Sequence, residues 1–378
     1  MPAYLDYLSW TPIDTRVADA MILHLKEEYG NPLSLHAVGR KTAAAIQDFR
    51  TKIANFIGAT PQEIVFTSGS MESNSLAVKG VLTAFGKGEL LASAVDPLSV
   101  ILSAEALEPY GYTKSLIPVD ANGQIKLLNL PGLINQNTRL ASVCWVVPEI
   151  GVIQPIEEVA AQMREAGILF HCDATTAARY FPINVRELKV DLLTISSSIL
   201  EGPPGVGALF VREGVKIQQL IDGGTHERGR RSGEENVPGI AGFAKAVELM
   251  AAERQARFNK LKKLDAHLKN RLKEISGLIL HADLPSRVPG IISCRIEGVE
   301  SEALLMLLDD AGIYASSGSH CAAILRKIPH VLTAMGLTGE QAASTLTFSL
   351  GWNSEKSEID EMIEVLKPIA KQLQDMSF

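Results

Sequence analysis

At 378 residues, 46% hydrophobic and 21% charged, the chain is long enough for two domains around a large core. Its 36 basic and 43 acidic residues leave a formal charge of −7, mixed along the sequence, which speaks against a nucleic-acid surface. No apolar run reaches the roughly 18 residues that a membrane span needs, and Met1 to Tyr7 lacks the basic start and apolar core of a signal peptide, so a cytoplasmic protein without a membrane partner is expected.

An amphipathic pattern predicts a first helix over 15–29, stopped by Gly30, with Asn31-Pro32 turning the chain into a second helix over 35–57. Residues 63–67 read as a strand that feeds Ser68-Gly69-Ser70 and a helix from Met71, the strand–turn–helix arrangement whose free backbone amides favour an anion. Further strands are expected over 90–95, 139–147 and 168–173, the last ending in the carboxylate of Asp173, where an open parallel sheet presents its site. Pro155 is placed at the first position of a helix that ends at Gly167. The short apolar run 192–195 and the resumed β pattern 206–211 flank a turn of Gly202, Pro203, Pro204 and Gly205. A long helix over 236–276 leads to strands near 290–296 and 345–350 and helices over 301–311 and 355–374. Cys144, Cys172, Cys294 and Cys321 lack CxxC spacing, so reduced thiols are expected and no metal site.

Several stretches together resemble the cysteine desulfurases of the NifS/IscS type, in the aminotransferase class-V family. They are GNPLSLH at 30–36, TSGSMESN at 67–74, SSSILEGPPGVG at 196–207, GGTHERGRRSGEEN at 223–236 and SSGSHC at 316–321. The resemblance implies an α/β, PLP-transferase type I-like fold. A large domain with a mostly parallel seven-stranded sheet would cover 14–250, and a smaller α+β domain would combine 1–13 with 251–378. It also implies a role in sulfur mobilisation and iron–sulfur cluster assembly, with sulfur-acceptor or scaffold proteins as partners.

The departures fall on the family's functional positions. The Schiff-base lysine is Ile199 and the histidine before it Ser198, with Ser196 kept. The ring-stacking histidine is Pro97, the phosphate threonines are Met71 and Glu234, the pyridoxal asparagine is Pro148, the glutamine is Thr176, and the substrate arginine is Thr347. An imine and its later proton transfers need a primary amine, which isoleucine lacks. Asp173 keeps the chemistry that would meet a pyridinium nitrogen, and Asn31 falls where the family holds a substrate carboxylate. The expectation is therefore a pseudoenzyme in which pyridoxal phosphate (PLP) has been lost and Asp173, Ser196, Ser198 and Ile199 are vestigial. It would act as a structural partner, as homodimer or as heterodimer with an intact desulfurase, or as a persulfide carrier through Cys321, with His320 lowering the thiol pKa. The alternative is an enzyme or small-molecule binder that reuses the vacated cleft.

Overall fold

The computed structural model describes residues 2–317 and 329–376. Eight strands precede the long helix of the chain: β1 Ala3–Tyr4, β2 Ile64–Thr67, β3 Glu89–Ser93, β4 Thr113–Ile117, β5 Thr138–Cys144, β6 Leu169–Asp173, β7 Leu192–Ser196 and β8 Gly207–Val211. Four follow it: β9 Leu278–Leu280, β10 Ile291–Ile296, β11 Ile313–Tyr314 and β12 Thr345–Ser349. The central sheet has seven strands in the order β2-β8-β7-β6-β5-β3-β4, and β8 alone runs against the others.

Successive residues of a strand point to opposite faces, and here both faces are dry. Leu192 and Leu209 pack with Leu76, Val81 and Leu82 of the Ser70–Phe85 helix on one side. Their neighbours Leu193 and Phe210 pack on the other side with Ile53, Val159 and Met163. Burial on both faces explains why these strands read as continuous apolar runs. A second, antiparallel sheet of β12, β10 and β9 is backed by the Lys356–Met376 helix, which buries Ile359, Met362, Ile363 and Leu366. The N-terminal strand β1 pairs with β11, and the Tyr7 N–H donates to the Ser349 carbonyl.

Several boundaries differ from the sequence expectation. The first helix, Thr15–Lys26, is already finished when Glu27 bonds back to Leu23, so Gly30 does not terminate it. A Cβ at Gly30 would instead lie 2.7 Å from the Thr42 hydroxyl and 2.9 Å from a Val38 methyl, so the glycine lets the turn press against the Ala37–Phe56 helix. His36 caps that helix, its Nδ1 accepting from the Gly39 N–H at 3.2 Å. Pro155 stands at the N-cap of the Ile156–Glu165 helix and not inside it. The long helix spans Val237–Leu272. Among the described residues no helix is long and apolar enough to cross a membrane.

Candidate functional site

A cleft of about 380 Å³ opens at the carboxyl ends of β5, β6 and β7, against the amino end of the Ser70–Phe85 helix. Parallel strands direct their last residues here, which is where open α/β sheets collect ligands. The helix starts from Gly69 without a side-chain cap, so its first turn, Ser70 and Met71, meets the cleft with open backbone amides. The approach is close because a Cβ on Gly207 would sit 2.7 Å from the Gly69 Cα.

Asp173, at the end of β6, is the fixed point of the cleft. Its Oδ2 accepts from Asn74 Nδ2 at 2.7 Å and its Oδ1 from the Thr175 N–H at 2.8 Å. Burial raises its pKa, and these bonds oppose the rise. Asn74 also donates to Ser99 Oγ at 2.9 Å, while its buried Oδ1 finds no partner among the described residues. An unpaired buried amide oxygen lining a cavity is an acceptor awaiting a ligand or water. Behind Pro97, Asp96 is fully buried. Its Oδ1 accepts from the Cys144 N–H at 2.5 Å, and burial, reinforced by Asp173, pushes its carboxyl up to about 8. Burial likewise pushes Glu149 to about 7 and holds His330 below the usual imidazole range. His330 Nε2–H donates to the Asp96 carbonyl at 2.8 Å, which fixes the ring's tautomer.

The replaced positions largely meet at this cleft. Met71, Pro97, Pro148, Thr176, Ser198 and Ile199 all line it. Ile199 is 7% exposed and belongs to the main core, at the turn after β7. Ser196 is buried beside it, its hydroxyl 3.4 Å from that of Ser198. Thr347 is elsewhere: buried in β12, it donates to the Glu149 carbonyl at 3.3 Å. Asn31 lies in an exposed turn whose own Leu33 N–H donates to its side chain, away from the cleft. Glu234 is exposed. Cys321 and His320 lie outside the described residues; Cys144, Cys172 and Cys294 are free and buried. Asn74, Cys144, Glu149 and His330 were not singled out from the sequence as site residues. Asn74, Glu149 and His330 stand in stretches that follow the family pattern, 67–74, 147–152 and 329–331, while no local pattern announced Cys144.

These residues fit part of a pyridoxal phosphate group. Asp173, buttressed by Asn74, would hold the ring nitrogen, and the uncapped first turn at Ser70 with Ser198 would hold the phosphate. When bound, that group supplies an electron sink for carbanion chemistry. Ile199 lines the cleft at the turn after β7, and no lysine or arginine lines it among the described residues.

Residues 3–362 match the aminotransferase class-V family. The chain is 39% identical over 377 residues to a cysteine desulfurase IscS of Dictyoglomus turgidum, covering 99% of this chain and 96% of that protein. It is equally identical to the cysteine desulfurase IscS 1 of Archaeoglobus fulgidus, at 99% and 98% coverage. Among solved structures, a NifS-like protein superposes with a TM-score of 0.92 at 32% identity, covering 98% of this chain and all of the other. A NifS-like protein from Rickettsia africae gives 0.89 at 30%, with the same coverage. These matches overturn the expectation that the cofactor has been lost. Full-length similarity to cysteine desulfurases, with Asp173 and Asn74 paired at the carboxyl end of β6, gives no ground for an abandoned cofactor. The fold is the PLP-transferase type I fold, and the chain belongs to the aminotransferase class-V family as a cysteine desulfurase-like member.

Proposed function

We propose that the chain serves sulfur mobilisation for iron–sulfur cluster assembly as a desulfurase-like pseudoenzyme, carrying persulfide sulfur on Cys321 within a homodimer. One observation carries the reading: Ile199 lines the cleft at the turn after β7, so the substrate Cα proton has no amine to move it. Carrying sulfur needs less. The Cys321 thiolate attacks the outer sulfur of a donor persulfide, the donor's S–S bond breaks, the donor leaves as a thiolate and Cys321 becomes the persulfide; no oxidant or reductant is consumed. The 223–236 stretch, through which the family contacts its partner subunit, is nearly complete here and supports the homodimer.

The test supplies excess PLP and cysteine and measures alanine and sulfide, then incubates the protein with a low-molecular-weight persulfide and weighs it. No alanine above a protein-free control is expected, with one added sulfur atom that Cys321→Ser abolishes. Steady alanine release would overturn the pseudoenzyme reading; equal labelling of both proteins, or of neither, would overturn the carrier.

A further inference from the structure

On the same sheet, at the end away from the cleft, the chain builds a second cavity of about 350 Å³. It lies where β6 and β7 begin, beside the last turn of the Ile156–Glu165 helix; a five-residue strand puts it roughly 13 Å of backbone from Asp173. Four cations line it, Arg164, Arg186, Lys189 and Arg212, against a single carboxylate, Asp191. That density of positive charge is unexpected on a chain whose formal charge is −7.

The carboxylate is already engaged. Asp191 Oδ1 takes Arg212 Nε at 2.6 Å, and its Oδ2 takes the Phe170 N–H at 2.8 Å. Arg186 pairs with Glu63, which stands outside the lining. The side chains of Arg164 and Lys189 have no ion-pair or hydrogen-bond partner among the described residues. Arg164 in the last turn of its helix is favourable to the helix dipole in any case. Lys189 has no such explanation. It ends the Val185–Leu188 turn of helix in the left-handed region, φ 56°, where glycine or asparagine would be less strained. Ala160, Ile168, Leu169 and Val185 give the cavity part of its lining as apolar surface.

We infer that this cavity is a binding site for a small phosphorylated metabolite. The planar guanidinium fork of Arg164 and the point charge of Lys189 match a phosphate's oxygens, with Arg186 and Arg212 adding positive potential while paired to Glu63 and Asp191, and the apolar lining accepts the organic part. The volume is in the range of small-molecule sites, which sets it apart from an open surface for an acidic protein. This site is separate from the cleft and does not depend on the pseudoenzyme reading.

The probe is inorganic pyrophosphate, titrated calorimetrically into the full chain at low salt, with sulfate as a comparison anion. The double variant Arg164→Ala/Lys189→Ala removes two exposed side chains and should retain the wild-type thermal unfolding curve. One pyrophosphate per chain is expected to bind the wild type, more tightly than sulfate. The double variant should bind at least about tenfold more weakly, from two lost charge-assisted contacts. Absence of binding at millimolar pyrophosphate would overturn the site, and so would equal affinity in the two proteins, which would put the anion elsewhere, as at the first turn of the Ser70–Phe85 helix.

Discussion

Two sets of buried charge in this molecule are built in opposite ways. In the scaffold, Arg50 and Glu227 form a two-armed pair at 2.7 and 2.6 Å. Glu227 also takes the Phe66 N–H at 2.8 Å, and Arg50 donates to the Ile64 carbonyl and lies 4.4 Å over the Phe66 ring. Arg287 and Asp265 repeat the design, with the Gly290 N–H as the additional donor. In both of these pairs each charge has its counter-charge. At and just behind the cleft wall, Asp173, Glu149 and Asp96 gather without a lining lysine or arginine among the described residues, and burial raises all three carboxyls above the ordinary range. Desolvation is the leading cause in all three, since burial penalises the charged form of an acid that has no counter-charge. The contrast separates groups kept for folding from groups kept for a ligand, since unpaired buried titratable groups in a cleft mark functional ground.

Removing one partner of a satisfied pair should produce the largest effect. Glu227→Ala leaves Arg50 buried without a counter-charge, and a loss of about 3–5 kcal/mol of unfolding free energy is expected by denaturant titration. The same measurement on Asp173→Asn should show little loss or a gain, because that carboxyl has no cation to strand. A large loss from Asp173→Asn would break the comparison.

The pH dependence sharpens it. Asp96 has a folded pKa of about 8, above the ordinary aspartate value. The unfolded chain therefore gives up this proton first. As pH rises from about 4 to about 8 the folded state loses stability through this group, and above 8 the loss levels off. Its size is on the order of a few kcal/mol. Asp96→Asn should remove that slope and leave the variant more stable than wild type at pH 8, with no such advantage at pH 4; parallel stability curves would contradict it.

A smaller effect is expected at Arg257, which lies 3.8 Å over the Trp352 ring and pairs with Glu201 at 3.3 Å. Arg257→Ala should cost about 1–2 kcal/mol, through packing as much as charge, and Arg257→Lys should recover only part of it. Full recovery by lysine would show that charge alone matters there.

The sheet was largely legible because its strands are dry on both faces and read as unbroken apolar runs. The edge strand β4 escaped notice: TKSLI is half exposed and carries one fully buried residue, so it has no such run. β9 is only LIL, too short to signal itself. At the cleft, Met71, Pro97, Pro148, Thr176 and Ile199 were recoverable from motif spacing because each sits in the turn, or the first helical turn, that follows a strand, where local sequence fixes position. The contacts that join Asp96, Cys144 and His330 were not, since the Asp96 carboxyl meets the Cys144 N–H 48 residues away and His330 reaches the Asp96 carbonyl across 234. Long-range closure of a parallel sheet leaves no local signature. The expectation of cofactor loss fails for a related reason: single substitutions are visible one by one, while the Asn74–Asp173 pair at the cleft joins residues 99 apart.

The central claim, that a ring site survives without its covalent tether, can be read directly. The protein is saturated with PLP, reduced with borohydride to trap any imine, digested and mapped by mass spectrometry beside Ile199→Lys. The account predicts no pyridoxyl adduct on any cleft peptide of the wild type, and an adduct at position 199 in the variant, where an amine is restored next to Asp173. A stoichiometric adduct on a wild-type lysine, lost when Asp173 is changed to Ala, would contradict it.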